Sequence, residues 1–301
     1  MAQLVENPLL DPANLARIDD LSLLAKVVVE GNHFGLHRSR KQGHGSEFFQ
    51  YRNYEPGEDL KNIDWKVFAK QNELVAKTYE ETSNANLILI LDASASMSFQ
   101  GNSSPCSKFR YSQMLAACLA YLAYRQGDRI GLFGGNQENL QWLFPESGKE
   151  SFKSILTKIG SMIPQGKDPD DQAWEKFKAS LPAQATVVII SDFLEDEDRI
   201  TDRLSFAHSS RYECLCLQVI DPIEENLPEM DAVRFASLEG DEEKSASPER
   251  IRQEYQRRFL EHLNTLTNCF AACGAEYTVL KTVDNLGLGI RKFIGLRSLF
   301  K

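Results

Sequence analysis

From residue 86 onward, short apolar runs alternate with stretches of helical periodicity, and this alternation leaves few architectures open. "LILIL", "RIGLFGG", "ATVVIISD", "YECLCLQVI" and "EYTVLKT" read as strands. "KFRYSQMLAACLAYLAYRQGD", "ESGKESFKSILTKIGSMI", "DDQAWEKFKASL", "DEDRITDRLSFAHSS" and a long segment opening at "SPERIRQEY" read as helices between them, and "LGLGIRKFIGLRSLF" as a helical tail. Strands separated by helices imply crossovers, and therefore a doubly wound, mostly parallel sheet. "LILIL" lacks polar alternation, as a strand covered on both faces would. The expected fold class is α/β, with ligands placed beyond the carboxyl ends of the strands.

Residues 1–85 break this rhythm. An opening helix, "DPANLARIDDLSLLAKVVVEGN", precedes a segment rich in glycine, charge and aromatics whose alternation suggests two or three short strands. The expected division is an N-terminal helix with an appended β-rich segment over 1–85, and the α/β domain over 86–301.

Charge and composition remove several function classes. A net charge of -9 disfavours a general nucleic-acid surface, which depends on Lys and Arg neutralising phosphates. No apolar run approaches the roughly 18 residues of a membrane span. The first twenty residues lack the basic and apolar regions of a secretory signal, so a cytoplasmic location is expected. The six cysteines then read as reduced thiols. Cys214/Cys216 and Cys269/Cys273 have spacings open to zinc, but they sit in apolar segments that favour small buried hydrophobes. The five histidines form no His-Glu-x-x-His pair, and there is no Gly-x-Ser-x-Gly elbow or phosphate loop.

The chemistry concentrates in "LDASASM". Residues i, i+2 and i+4 of an extended chain point the same way, so Asp92, Ser94 and Ser96 can converge where the strand ends. A carboxylate with two hydroxyls is a hard-oxygen set suited to Mg²⁺ or Mn²⁺. The same residues are also ordinary turn and N-cap formers. Asp192 in "ISDF" closes another strand and can approach the same rim.

"LDASASM" followed by a helix, with "ISDF" about a hundred residues later, resembles the metal-ion-dependent adhesion site of von Willebrand factor type A domains. More narrowly, "GLHRSRKQGHGSEFFQYRNYEPGEDLKNIDWKVFAK", "QGDRIGL", "VIDPIEENLP" and "PERIRQEY" resemble the bacterial family called domain of unknown function 58. The resemblance implies that Asp92, Ser94 and Ser96 form the first loop of the adhesion site and Asp192 its third. The second loop should offer a threonine, but here Gly166 is followed by Lys167 and Asp168. Lys167 would repel a divalent ion, whereas Asp168, Asp170 or Asp171 would supply a replacement carboxylate. The resemblance also implies a non-enzymatic interaction protein that acts with a MoxR-type AAA+ ATPase on a client protein or complex, a partner's acidic side chain completing the coordination. A hydrolase using the same ion, and an ion-free scaffold, are the competing expectations. In the N-terminal block, Arg52, Tyr54, Asp59, Asp64 and Trp65 form either a structural network or a docking surface.

Overall fold

The computed structural model describes residues 11–31, 41–43, 47–54, 63–71, 74–81, 85–225, 233–236, 243–246 and 248–299. The chain divides into two compact units, one of residues 37–84 and one of 1–36 with 85–301. The opening residues thus cluster with the α/β unit, and the boundaries fall at 37 and 84 instead of at a single cut after 85.

The one opening helix expected is two, α1 (Pro12–Leu15) and α2 (Leu21–Gly31). Asp11 caps α1 by accepting from the Ala13 N–H at 2.9 Å, and Asp20 accepts from Ser22 at 2.8 Å and Leu23 at 3.1 Å. A residue capping in this way lies outside the helix it starts, so Asp20 separates the two segments. Leu21, Leu24, Val28 and Val29 of α2 join the main apolar core.

The 37–84 unit contains β1 (Lys41–Gly43), β2 (Glu47–Asn53), α3 (Trp65–Gln71) and β3 (Val75–Glu81). Its antiparallel sheet has the order β1-β3-β2, with a register shift between Phe48 and Gln50. The short helix α3 was not anticipated. Asp64 starts it by accepting from the Lys66 N–H at 2.9 Å.

The α/β unit continues through β4 (Asn86–Asp92), α4 (Lys108–Gln126), β5 (Arg129–Gly135), β6 (Leu140–Glu146), α5 (Lys149–Ser161), α6 (Asp171–Ser180), β7 (Ala185–Ser191), α7 (Glu197–Arg203) and β8 (Tyr212–Ile220). It closes with α8 (Pro222–Glu225), a two-stranded antiparallel pair β9 (Val233–Ala236) and β10 (Glu243–Ala246), α9 (Pro248–Ala272), β11 (Glu276–Lys281) and α10 (Gly287–Leu299). The six-stranded sheet runs β11-β8-β7-β4-β5-β6, parallel except for β6. This is the doubly wound order, α/β as expected, and its direction reverses between β4 and β7.

Alternation along the strands builds both core layers. Leu87, Leu89 and Leu91 face α2, α4, α5 and α10, while Ile88 and Ile90 face Trp174, Phe177 and Phe270. The helix α4 lies in the first layer with residues 108–123 almost wholly buried. Ser107 caps it, accepting from the Arg110 N–H at 3.2 Å, and Gly127 ends it at φ 81°. The strand β6 escaped the sequence reading. It is an edge strand whose Phe144 is exposed, and it is reached through Gly134 and Gly135 at φ 146° and 115°. A Cβ on Gly134 would stand 2.1 Å from the Leu91 carbonyl oxygen, so only glycine lets β5 pass so close to β4. The segment "DEDRITDRLSFAHSS" is α7 followed by a 3₁₀ turn at Ser205–His208, not one helix.

Candidate functional site

Asp92 is the last residue of β4, next to the sheet's point of reversal, and the chain turns at once into a 3₁₀ segment, Ala95–Ser98. Asp92 Oδ1 accepts from the Ser94 N–H at 2.7 Å and Oδ2 from the Ser191 hydroxyl at 2.6 Å. Ser94 Oγ and Ser96 Oγ lie 3.1 Å apart. The turn is pinned to the second loop, with Ala95 N–H donating to Gly166 O at 2.9 Å and Gln165 N–H to Ala93 O at 3.0 Å. Burial, and then the carboxylates of Asp168 and Asp192, push Asp92 well above the ordinary carboxylate range, against the hydrogen bonds from Ser191 and Ser94.

Asp192 follows β7 in the third loop, and its partner is an internal cation. Lys108, the first residue of α4, is fully buried and donates to Asp192 Oδ2 at 2.8 Å and Glu224 Oε1 at 2.7 Å. Burial works against its charge, but Asp192 and Glu224 outweigh it and hold Lys108 above its ordinary value. Burial raises Glu224 despite the lysine. The third loop carries one unusual backbone angle, Phe193 at φ 51°, where its N–H donates to Ser191 Oγ at 2.9 Å.

The second loop is committed elsewhere. Asp168 pairs with the buried Arg203, whose Nη1 also binds Glu195 and whose Nη2 donates to Pro169 O at 3.0 Å. The guanidinium sits 4.9 Å from the Trp174 ring centre. Burial lifts Asp168 to about 7 in spite of Arg203, and lifts Glu195 as well. Asp170 caps α6, accepting from the Ala173 N–H at 2.8 Å, and Asp171 pairs with Arg199 at 3.0 Å. Of the three acids weighed as replacements for the absent threonine, only Asp168 is turned inward. Lys167 is exposed, and the buried cations that meet the site's carboxylates are Lys108 at Asp192 and Arg203 at Asp168. A cavity of about 30 Å³ lies between Asp92, Asp168, Ser191, Glu195, Arg203 and the apolar walls of Phe133 and Trp174.

The donor set can be tested against a divalent ion. Six oxygens about 2.1 Å from Mg²⁺ put neighbouring ligands about 3 Å apart, and the Ser94 and Ser96 hydroxyls meet that spacing at 3.1 Å. Mutual repulsion around Asp92 would be relieved by positive charge. The two hydroxyls of the first loop thus stand at the spacing of neighbouring ligands on a cation, whereas Asp192 is held by Lys108. Among the described residues, no group of three or more His, Cys, Asp or Glu side chains is arranged to hold a metal.

Of the N-terminal candidates, Asp59 lies outside the described residues, and Arg52 is placed only as backbone in β2. Asp64 is buried as the cap of α3, Tyr54 is half-buried with its N–H donating to Leu74 O at 3.0 Å, and Trp65 is 56% exposed. Cys214, Cys216 and Cys273 lie in the second core layer with Cys269 against it, and all are free thiols.

The sequence reading missed Lys108, Ser191, Glu195, Arg203 and Glu224. A signal existed for the lysine: Lys108, Tyr111, Ser112 and Leu115 share one helical face, so a charge there needed a buried partner.

A family model described as protein of unknown function DUF58 matches residues 50–265. The uncharacterized protein Rv1480 of Mycobacterium tuberculosis is 26% identical over 292 residues, 95% of this chain and 90% of that protein. The uncharacterized protein YeaD of Bacillus subtilis is 26% identical over 159 residues, 52% of this chain and 37% of that one. Among solved structures, the conserved hypothetical protein BatB of Bacteroides thetaiotaomicron is similar at 13% identity and a TM-score of 0.46, over 71% of this chain and 99% of that one. The SpRpn10 VWA domain is similar at 9% identity and a TM-score of 0.41, over 67% and 91%.

Proposed function

The chain belongs to the family of proteins of unknown function DUF58, and from that premise we propose that it is a cytoplasmic, non-enzymatic interaction module that docks partners on the carboxyl rim of its sheet. The observation that carries this reading is the pair of hydroxyls, Ser94 and Ser96, held 3.1 Å apart in the turn that follows Asp92 at the sheet's point of reversal, where Asp92 accepts from the Ser94 N–H. Ser94 and Ser96, with Asp92, would hold Mg²⁺ or Mn²⁺. The ion, when bound, supplies an open position for an acidic side chain of the partner. Asp92 is orientated for this by Ser191 and by the Ser94 N–H. The partner is a MoxR-type AAA+ ATPase, for which this chain acts as adaptor toward a client. Trp65, exposed on α3, is the residue of the N-terminal block that we assign to partner contact.

Calorimetric titration of Mg²⁺ and Mn²⁺ into the wild type and Asp92→Ala tests the ion. Binding to the wild type alone is expected, and no binding to the wild type at millimolar metal refutes it. Pull-down of a purified MoxR-type ATPase, with and without metal, tests the partner. Retention that neither Asp92→Ala nor Trp65→Ala weakens would remove both surfaces from the proposal.

A further inference from the structure

Asp192 is already engaged by Lys108. Its Oδ2 accepts from Lys108 Nζ at 2.8 Å and its Oδ1 from the Leu194 N–H at 3.3 Å. Lys108 has a second carboxylate ready: Glu224 Oε1 lies 2.7 Å from the same ammonium, and Glu224 Oε2 is steadied by the Asp221 N–H at 2.7 Å. The surrounding frame is tight. The Lys108 N–H donates to Phe99 O at 3.1 Å, the Gly101 N–H to Asp221 Oδ2 at 2.8 Å, and the Asp192 carbonyl accepts from Gln218 Nε2 at 2.8 Å. Asp192 is close enough to Asp92 that its negative charge disfavours the ionised form of Asp92.

We propose that Lys108 is the site's resident counter-cation, which competes with the divalent ion for Asp192 and falls back on Glu224 when the ion is bound. The inference rests on the ion reading given above and adds its regulation. With the site empty of metal, the ammonium neutralises Asp192, and the fold needs no ion to tolerate the buried carboxylate. When a divalent ion settles on Ser94 and Ser96, Asp192 turns toward it, and the Lys108 charge is left to Glu224. Occupancy is then set by an exchange between two cations, and Glu224, in α8, decides how readily the lysine gives way. Anything that draws α8 from Lys108 lowers the affinity for the ion. This gives a partner bound near residues 222–225 a route to the rim.

The test is Mn²⁺ titration by calorimetry on the full chain, with circular dichroism to check folding. Lys108→Met should bind at least tenfold more tightly than the wild type, because the competitor is gone. Glu224→Gln should bind several-fold more weakly, because the whole lysine charge then rests on Asp192. Glu225→Gln, a neighbouring carboxylate paired instead with Lys281 at 2.5 Å, should leave the affinity unchanged. Opposite shifts in the first two variants support the exchange. Shifts in the same direction, affinities equal to wild type, or weakening by Glu225→Gln as large as by Glu224→Gln overturn it. If Lys108→Met does not fold, Glu224→Gln and Glu225→Gln decide by the same criteria. No heat with any of these proteins overturns the ion reading itself, whereas binding with unchanged affinities overturns only the role of Lys108.

Discussion

Replacing Arg203 with methionine should be among the most damaging single changes to the α/β unit, and by an amount that depends on pH. The side chain is 6% exposed, against 16% for Asp168 and 20% for Glu195. Methionine keeps the volume but leaves both carboxylates without their cation, which for buried pairs costs about 3–5 kcal/mol. The contact with Trp174 adds about 1 kcal/mol, and partial protonation of the acids takes some back. The net expectation at pH 8 is a loss of about 4 kcal/mol, close to a thousandfold in the folded-to-unfolded ratio. The pH dependence follows from the direction of the shifts. Burial already lifts Asp168 from 3.8 to about 7, and without Arg203 it rises further. A carboxyl raised in the folded state costs nothing below its unfolded pKa, and its full cost is felt above the folded one. The deficit should therefore shrink to about 2 kcal/mol at pH 5, the lost stacking and hydrogen bond remaining. Urea unfolding followed by tryptophan fluorescence in a Trp65→Phe background reports Trp142 and Trp174. Arg203→Met with Asp168→Asn should recover part of the loss at pH 8. A deficit under about 1 kcal/mol, or one equal at pH 5 and 8, would show that the pair is not buried in the way described.

Three further outcomes are expected. Gly134→Ala should give insoluble or unfolded protein in expression trials, since its Cβ would meet the Leu91 carbonyl oxygen at 2.1 Å; a soluble variant with wild-type melting would contradict the close strand approach. Ser107→Ala should lower stability by about 1 kcal/mol through loss of the α4 cap, measured as a fall in the urea midpoint. At pH 8 the folded protein should expose at most one thiol, Cys269, to an aromatic disulfide reagent, because burial pushes Cys106 and Cys273 up to about 11 and Cys118 higher still; all six should react in denaturant.

What the sequence disclosed depended on how local each signal was. "LILIL" carried its own evidence for a strand covered on both faces, and Asp92, Ser94 and Ser96 were legible because three residues of one turn share a direction. The opening helix misled because its apolar spacing continues across Asp19 and Asp20, and only the capping bonds of Asp20 show the break. The strand β6 was obscured because at an edge Trp142 and Phe144 need no uniform burial. The partners of Lys108 and Arg203 were beyond reach for a different reason. Lys108 finds Asp192 across 84 positions and Glu224 across 116, and no spacing rule spans such distances. Lys167, singled out because it neighbours Asp168 in the chain, is exposed, whereas the buried cations at the rim, Lys108 and Arg203, come from distant parts of the chain.

The Ser191 hydroxyl donates a hydrogen bond to Asp92 and accepts one from the Phe193 N–H. One atom thereby joins the turn after β4 to the turn after β7, and the Phe193 ring continues the connection to Phe270 of α9 at 5.0 Å between ring centres. In mutational terms, position 191 is less permissive than its small side chain suggests. Alanine there leaves two polar groups unanswered on two separate loops, valine fills the space without answering either, and threonine keeps the hydroxyl at the risk of a crowded strand end. A small side chain at the rim thus has few substitutes.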